Sequence, residues 1–257
     1  MQWEMVLAAS LIAVPVVVLA GFRVRTGPNP WTPIDVAIAL TLVVWIGAVA
    51  SGVAFLTLAG SGERVSDMLE GSAGTSLLLG ILAANLFGVG SAALFARLRA
   101  GPGALGFDLT RPVWLIWAVV LMLPLSIVWF GWGGLLELLG VPLEPQLLTT
   151  LLQGAPSSAL WVGALVYVIA IVPALEEMVF RGFVQAPFVR RWGRWPGIAT
   201  SSALFAFAHL TDPQAIPPLL VLGMVLGWLR ERTGSLAAPT ALHAANNAAA
   251  LAVTLWI

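Results

Sequence analysis

Two adjacent carboxylates, Glu176 and Glu177, lie deep in an apolar run that begins near Leu160, and this pair constrains the fold more than any other feature of the chain. If the run is a membrane helix, each unpaired charge near mid-bilayer costs roughly 2.5–3.5 kcal/mol or more. Such a helix has to sit inside a bundle that supplies polar partners. Arg181 follows Glu177 by four residues, which puts the two on one helical face about 40° apart and predicts an internal ion pair. Glu176 points about 100° away and needs a partner from another helix.

The composition agrees that the run is one of many. Hydrophobic residues make up 60% of the 257 and charged residues only 9%, with a mean hydropathy of +0.97. That balance excludes an ordinary soluble globular domain. Apolar windows approaching the ~20 residues that cross a bilayer fall at 3–22, 34–58, 75–98, 113–139, 157–185, 196–209, 218–229 and 236–257. The expected fold is therefore all-α: a polytopic membrane protein of about eight transmembrane helices around a polar intramembrane cavity. It reads as a single membrane domain over 1–257, with N-terminal helices in 1–140 and a catalytic helical core in 157–257. The segment 143–153 reads as a short interfacial helix or an ordinary loop.

Loop charge tests the count. All twelve basic residues are arginine, and eleven fall in alternate connections: Arg23 and Arg25; Arg97, Arg99 and Arg111; Arg181, Arg190, Arg191 and Arg194; Arg230 and Arg232. By the positive-inside rule those connections are cytoplasmic and both termini lie outside. The first span is trailed by its arginines and lacks a cleavage site, so it reads as a retained span rather than a signal peptide. The zero net charge offers no basic patch for nucleic acid. With no cysteine there is no disulfide, thiol nucleophile or cysteine metal site. The twelve tryptophans, several near span ends, read as an interfacial belt.

The chain has two histidines and both fall in apolar windows. His209 closes Phe205-Ala-Phe-Ala-His209, and His243 opens His243-Ala-Ala-Asn-Asn247. Spacing of four puts His243 and Asn247 on one face, with Asn246 at spacing three as the alternative. At 1.5 Å per residue from the arginine-bearing side, Glu176 and His209 lie roughly 20 Å deep and His243 and Asn247 roughly 10–18 Å. These depths overlap, so three helices can deliver a carboxylate, two imidazoles and an amide to one pocket. Each residue also has a plainer reading: Glu177 and Arg181 as a structural pair, His209 and Asn247 as interhelical hydrogen bonders.

Glu176-Glu177-x-x-x-Arg181, Phe205-x-x-x-His209 and His243-x-x-x-Asn247 resemble, in order, the three motifs of the CAAX protease and bacteriocin-processing (CPBP) family of intramembrane proteases, which includes the type II CAAX prenyl endopeptidases. Leu105-Gly-Phe-Asp-Leu-Thr-Arg111 is similar to a segment often found upstream. The resemblance implies that Glu176 and His209 activate a water, that His243 and Asn247 stabilise the oxyanion, and that Glu177 and Arg181 support the site. It implies hydrolysis of a membrane-associated peptide or protein, prenylated or a leader peptide, at a site facing the cytoplasmic leaflet, with no cofactor and no metal. The all-arginine, alanine- and tryptophan-rich composition points to a prokaryotic cell membrane and away from prenylated substrates. Hydrolysis needs a base for water and donors where negative charge develops, which these residue types provide.

Three rivals remain at this point. A zinc-dependent protease could use Glu and His as ligands, although no His-Glu-x-x-His helix is present. A proton-coupled carrier could use the same groups as a relay, although no internal repeat is visible. A non-catalytic scaffold would not need all four polar groups.

Overall fold

A computed structural model describes residues 113–143 and 158–256 apart from 211, together with residues 32, 33, 35, 36, 90 and 106–108. Apart from residues 35, 36 and 90, the first three expected spans lie outside the described residues, as does the 143–153 segment beyond residue 143. Among the described residues every regular element is helical.

The fourth expected span is α1 (Val113–Val120) followed by α2 (Met122–Leu138), with one interrupting turn at Leu121. Pro124 accounts for the break, since it lacks the N–H that would bond the Val120 carbonyl. Residues 115–138 are long and apolar enough to cross a membrane. Ile116, Leu123 and Ile127 are 65–73% exposed, giving an outer face suited to lipid.

The fifth span is longer than the sequence predicts. Residues 161–192 form a 32-residue apolar rod, about 48 Å at α-helical rise against a hydrocarbon core of ~30 Å. It comprises α3 (Ser158–Val166), a π-helical turn (Tyr167–Ile171), α4 (Val172–Glu177), a second π-helical stretch (Met178–Val184) and α5 (Gln185–Trp192). Arg181, counted above with the loop arginines, is instead 1% exposed inside this rod. The correction follows from Glu177: a buried carboxylate draws the guanidinium inward.

α5 turns at Gly193, whose φ of +89° suits glycine, into α6 (Arg194–Phe207). The two helices touch at Gly197, where a Cβ would stand 2.4 Å from the Val189 nitrogen. A short turn and a 3-10 segment (Pro213–Ala215) lead to α7 (Ile216–Thr233), and Gly234 in the left-handed region ends that helix before α8 (Ala237–Trp256). These short connections place Arg190, Arg191 and Arg194 at the same end of the bundle as Arg230 and Arg232. His209 falls in the turn just beyond α6 rather than inside it.

One apolar core joins Val179, Phe180, Phe183, Phe205, Leu222, Leu226 and Leu242, with Trp129 of α2 against it. A second, smaller cluster of Ala164 and Leu251, with Val168 and Ile169 beside it, lies between α3 and α8. The upstream Gly106-Phe-Asp108 segment docks on the α7–α8 turn. Ser235 Oγ accepts from the Asp108 amide and donates to its carbonyl, and the Leu236 amide donates to the Gly106 carbonyl at 3.2 Å. Ser235 Oγ also caps the start of α8 by accepting from the Ala237 amide.

Candidate active site

The two carboxylates converge on one imidazole. His243 Nδ1 lies 3.1 Å from Glu177 Oε1, and His243 Nε2 lies 3.7 Å from Glu176 Oε2. All three residues are buried, Glu177 completely. Being adjacent on α4, the glutamates diverge by about 100°, enough for the ring between them to meet one with each nitrogen. Sequence spacing gave Glu177 to Arg181 and left Glu176 alone; in the fold Glu177 serves both Arg181 and His243.

Arg181 Nε is 3.1 Å from Glu177 Oε2, with both side chains fully buried. The atoms form an ion pair by distance but are not aligned for a hydrogen bond, and Arg181 Nη2 has no acceptor among the described residues. Arg181 Nη1 lies 3.4 Å from Ser201 Oγ, and its guanidinium carbon sits 4.9 Å from the Phe205 ring centroid. An ionised Glu177 only accepts, so against it His243 Nδ1 is the donor, and Nε2 is the nitrogen turned toward Glu176.

His209 is brought to the same aromatic ring but not into a bond with Glu176. Its Nδ1 lies 2.9 Å from the Phe205 carbonyl four residues earlier. A carbonyl only accepts, so Nδ1 donates and the half-buried Nε2 presents a lone pair. The ring centroids of His209 and His243 lie 5.1 and 5.5 Å from that of Phe205, both edge-on. Phe205 is thus the shared wall of both imidazoles.

The two asparagines of α8 point into different surroundings. Asn247 Nδ2 donates to the Val168 carbonyl at 3.0 Å. Asn246 Oδ1 accepts from Trp129 Nε1 at 3.0 Å. Trp132, one turn further along α2, donates to the Gln214 carbonyl at 2.8 Å, and Gln214 Nε2 donates to the Pro142 carbonyl, bracing the loop that follows His209. Both indole N–H groups thus donate to acceptors on other elements of the protein.

Two further polar residues escaped the sequence reading. Gln185 is fully buried, and its Nε2 donates to the Gly227 carbonyl at 3.1 Å and to Glu231 Oε1 at 2.8 Å. Ser201 Oγ donates to the Phe180 carbonyl at 3.0 Å. The signal for Gln185 was present in the Glu177, Arg181, Gln185 spacing of four through otherwise apolar sequence. Ser202 Oγ donates within its own helix to the Ile198 carbonyl, so the Ser201 and Ser202 hydroxyls are both engaged with backbone. Among the described residues no three His, Asp or Glu side chains gather as a metal-ligand set.

Residues 157–249 match the family model described as type II CAAX prenyl endopeptidase Rce1-like. This segment is an Rce1-like domain. The matched residues run from the start of α3 through most of α8 and contain Glu176, Glu177, Arg181, His209, His243 and Asn247, while Trp129 and Trp132 of α2 lie outside them. No curated protein and no solved structure matches the chain. The Rce1-like segment and two helices long and apolar enough to cross a membrane thus occur in one chain.

Proposed function

We propose that this chain is an intramembrane endopeptidase in which Glu176 takes the proton of a water that attacks the scissile carbonyl. The observation that carries the reading is the His243 imidazole held between Glu177 and Glu176. At 3.7 Å, His243 Nε2 and Glu176 Oε2 are within ion-pair distance but too far apart for a direct hydrogen bond, so each can turn toward a reacting group.

Atoms and charge balance at each step. The Glu176 carboxylate accepts a proton as the water oxygen forms a bond to the carbonyl carbon, and the C=O π pair moves onto the carbonyl oxygen. His243, in the form with both nitrogens protonated, donates Nε2–H to that oxyanion, with a carboxamide of α8 as second donor. Collapse re-forms C=O and breaks the C–N bond, and the Glu176 proton passes to the departing amine. His209 Nε2 offers a second acceptor for the water. Glu177 and Arg181 fix the His243 ring. No step requires a metal.

The substrate is a membrane-associated peptide, and the arginine-bearing end is cytoplasmic by the positive-inside rule. The composition favours a leader peptide over a prenylated CAAX sequence. The test reconstitutes the protein in liposomes with two probes, a farnesylated CAAX peptide and an unprenylated lipid-tethered leader peptide. Glu176→Gln should lower kcat between about 10²- and 10⁴-fold, the range of general-base catalysis. Full activity in that variant would falsify the reading, and activity abolished by chelation and restored by zinc would replace it with the zinc enzyme.

A further inference from the structure

The α5–α6 turn carries three arginines, two tryptophans and no acidic residue in six consecutive positions, Arg190-Arg-Trp-Gly-Arg-Trp195, every one of them exposed. We infer that this turn binds the phosphodiester headgroup of an anionic phospholipid. Arg191 and Arg194 hold the phosphate, and Trp192 and Trp195 stand beside the glycerol and upper acyl chains. The inference rests on the membrane-embedded reading above and on none of its chemistry.

Charge selects the headgroup. Among the described residues, that end of the bundle holds Arg190, Arg191, Arg194, Arg230 and Arg232 against Glu231 and Asp108. Glu231 already accepts from the buried Gln185. The surplus is positive, and a basic surface of this kind favours anionic over zwitterionic lipid. Gly193, at φ +89°, reverses the chain within one residue, so Arg191 and Arg194, three positions apart, have Cα atoms no more than about 11 Å from each other. Two guanidinium forks at that spacing can share one phosphodiester. α6 also begins with no side-chain cap on its first turn, and uncapped leading amides favour an anion there.

The indoles and the depth select a lipid over a soluble anion. Trp192 is 51% and Trp195 56% exposed; an indole has an apolar body and one polar N–H, which suits the membrane interface. The Trp192 ring packs on the buried Phe188, centroids 4.9 Å apart, and the Arg194 guanidinium carbon lies 5.4 Å from the Trp195 ring centroid. The rod over 161–192 outruns the ~30 Å hydrocarbon core, and its charged end, α5, is the one suited to emerge among headgroups. An acidic peptide would satisfy the charge but neither the indoles nor the depth. Because α5 continues the rod that carries Glu176 and Glu177, a bound headgroup also fixes the depth of that rod.

The experiment follows thermal unfolding of the full chain in neutral detergent micelles titrated with phosphatidylglycerol or with phosphatidylcholine. Phosphatidylglycerol should raise the unfolding temperature saturably, and phosphatidylcholine should not. Arg191→Gln with Arg194→Gln should weaken the apparent phosphatidylglycerol affinity about 30-fold, at the about 5-fold per arginine of basic residues near anionic lipid. In phosphatidylcholine the same variant should unfold as the wild type does, because both side chains are exposed. Arg191→Lys with Arg194→Lys keeps the charge without the forks and should lose part of the affinity.

Equal responses to the two lipids overturn the site, as does undiminished phosphatidylglycerol affinity in the glutamine pair. Full affinity in the lysine pair replaces the site with a diffuse surface potential. Displacement of phosphatidylglycerol by inorganic phosphate reassigns the turn to a soluble anion, and displacement by an acidic peptide reassigns it to substrate docking; either overturns the lipid. A chain that does not incorporate into phosphatidylcholine vesicles overturns the membrane reading and this site with it. Undiminished cleavage by Glu176→Gln overturns only the proposed chemistry and leaves the lipid site standing.

Discussion

At the scale of single residues, the site depends on Glu177, which holds a cation with one oxygen and an imidazole with the other. Removing one partner of a buried ion pair strands the other charge at a cost of about 3–5 kcal/mol, whereas removing both is far milder. Arg181→Met should therefore destabilise strongly, and Glu177→Gln added to it should recover most of the loss, as read by denaturant unfolding in mild detergent. Activity should stay low in the double variant, because an uncharged carboxamide at position 177 no longer supports a positively charged His243 ring. His209 allows a separate test. His209→Asn keeps a short side-chain donor for the Phe205 carbonyl and removes the nitrogen facing outward; a loss of about 10²-fold in kcat with unchanged unfolding is expected if that nitrogen holds the water. Retained activity would reduce His209 to a local cap.

At the scale of elements, the site is aimed by irregular helix. Two π-helical stretches flank α4, the second closed by the Gln185 amide bonding five residues back to Phe180. Each shifts the angular register of the rod, and such stretches are frequent at functional sites. Close contact among α5, α6 and α7 keeps that register. A Cβ on Gly197 would meet backbone of Val189 at 2.4 Å, while one on Gly223 would meet the Ser202 side chain at 2.9 Å. Backbone yields less than a serine side chain, so Gly197→Ala should destabilise more than Gly223→Ala, by the about 1–3 kcal/mol typical of overpacking. Equal unfolding temperatures in the two variants would contradict that ordering.

At the scale of the whole molecule, the absence of cysteine allows single cysteines to report sidedness. Arg194→Cys on the α5–α6 turn should react with a membrane-impermeant maleimide only from the cytoplasmic side, and Asp212→Cys only from the outer side. The reverse pattern would invert the proposed orientation. The sequence alone determined the class of molecule, because twenty-residue apolar windows and alternating arginines depend only on bilayer thickness and charge. It also singled out Glu176, Glu177, His209 and His243, because ionisable groups within lipid-length apolar runs are costly enough to stand out. Spacing of four carried the Glu177–Arg181 pair as well. Which imidazole meets which carboxylate was decided only by the tertiary structure, as were the different hydrogen-bond partners of Asn246 and Asn247. Those choices turn on π-helical register shifts and on Trp129 arriving from a helix more than a hundred residues earlier in the chain. A linear pattern assumes a constant 100° per residue, and here the candidate site sits where that rotation changes.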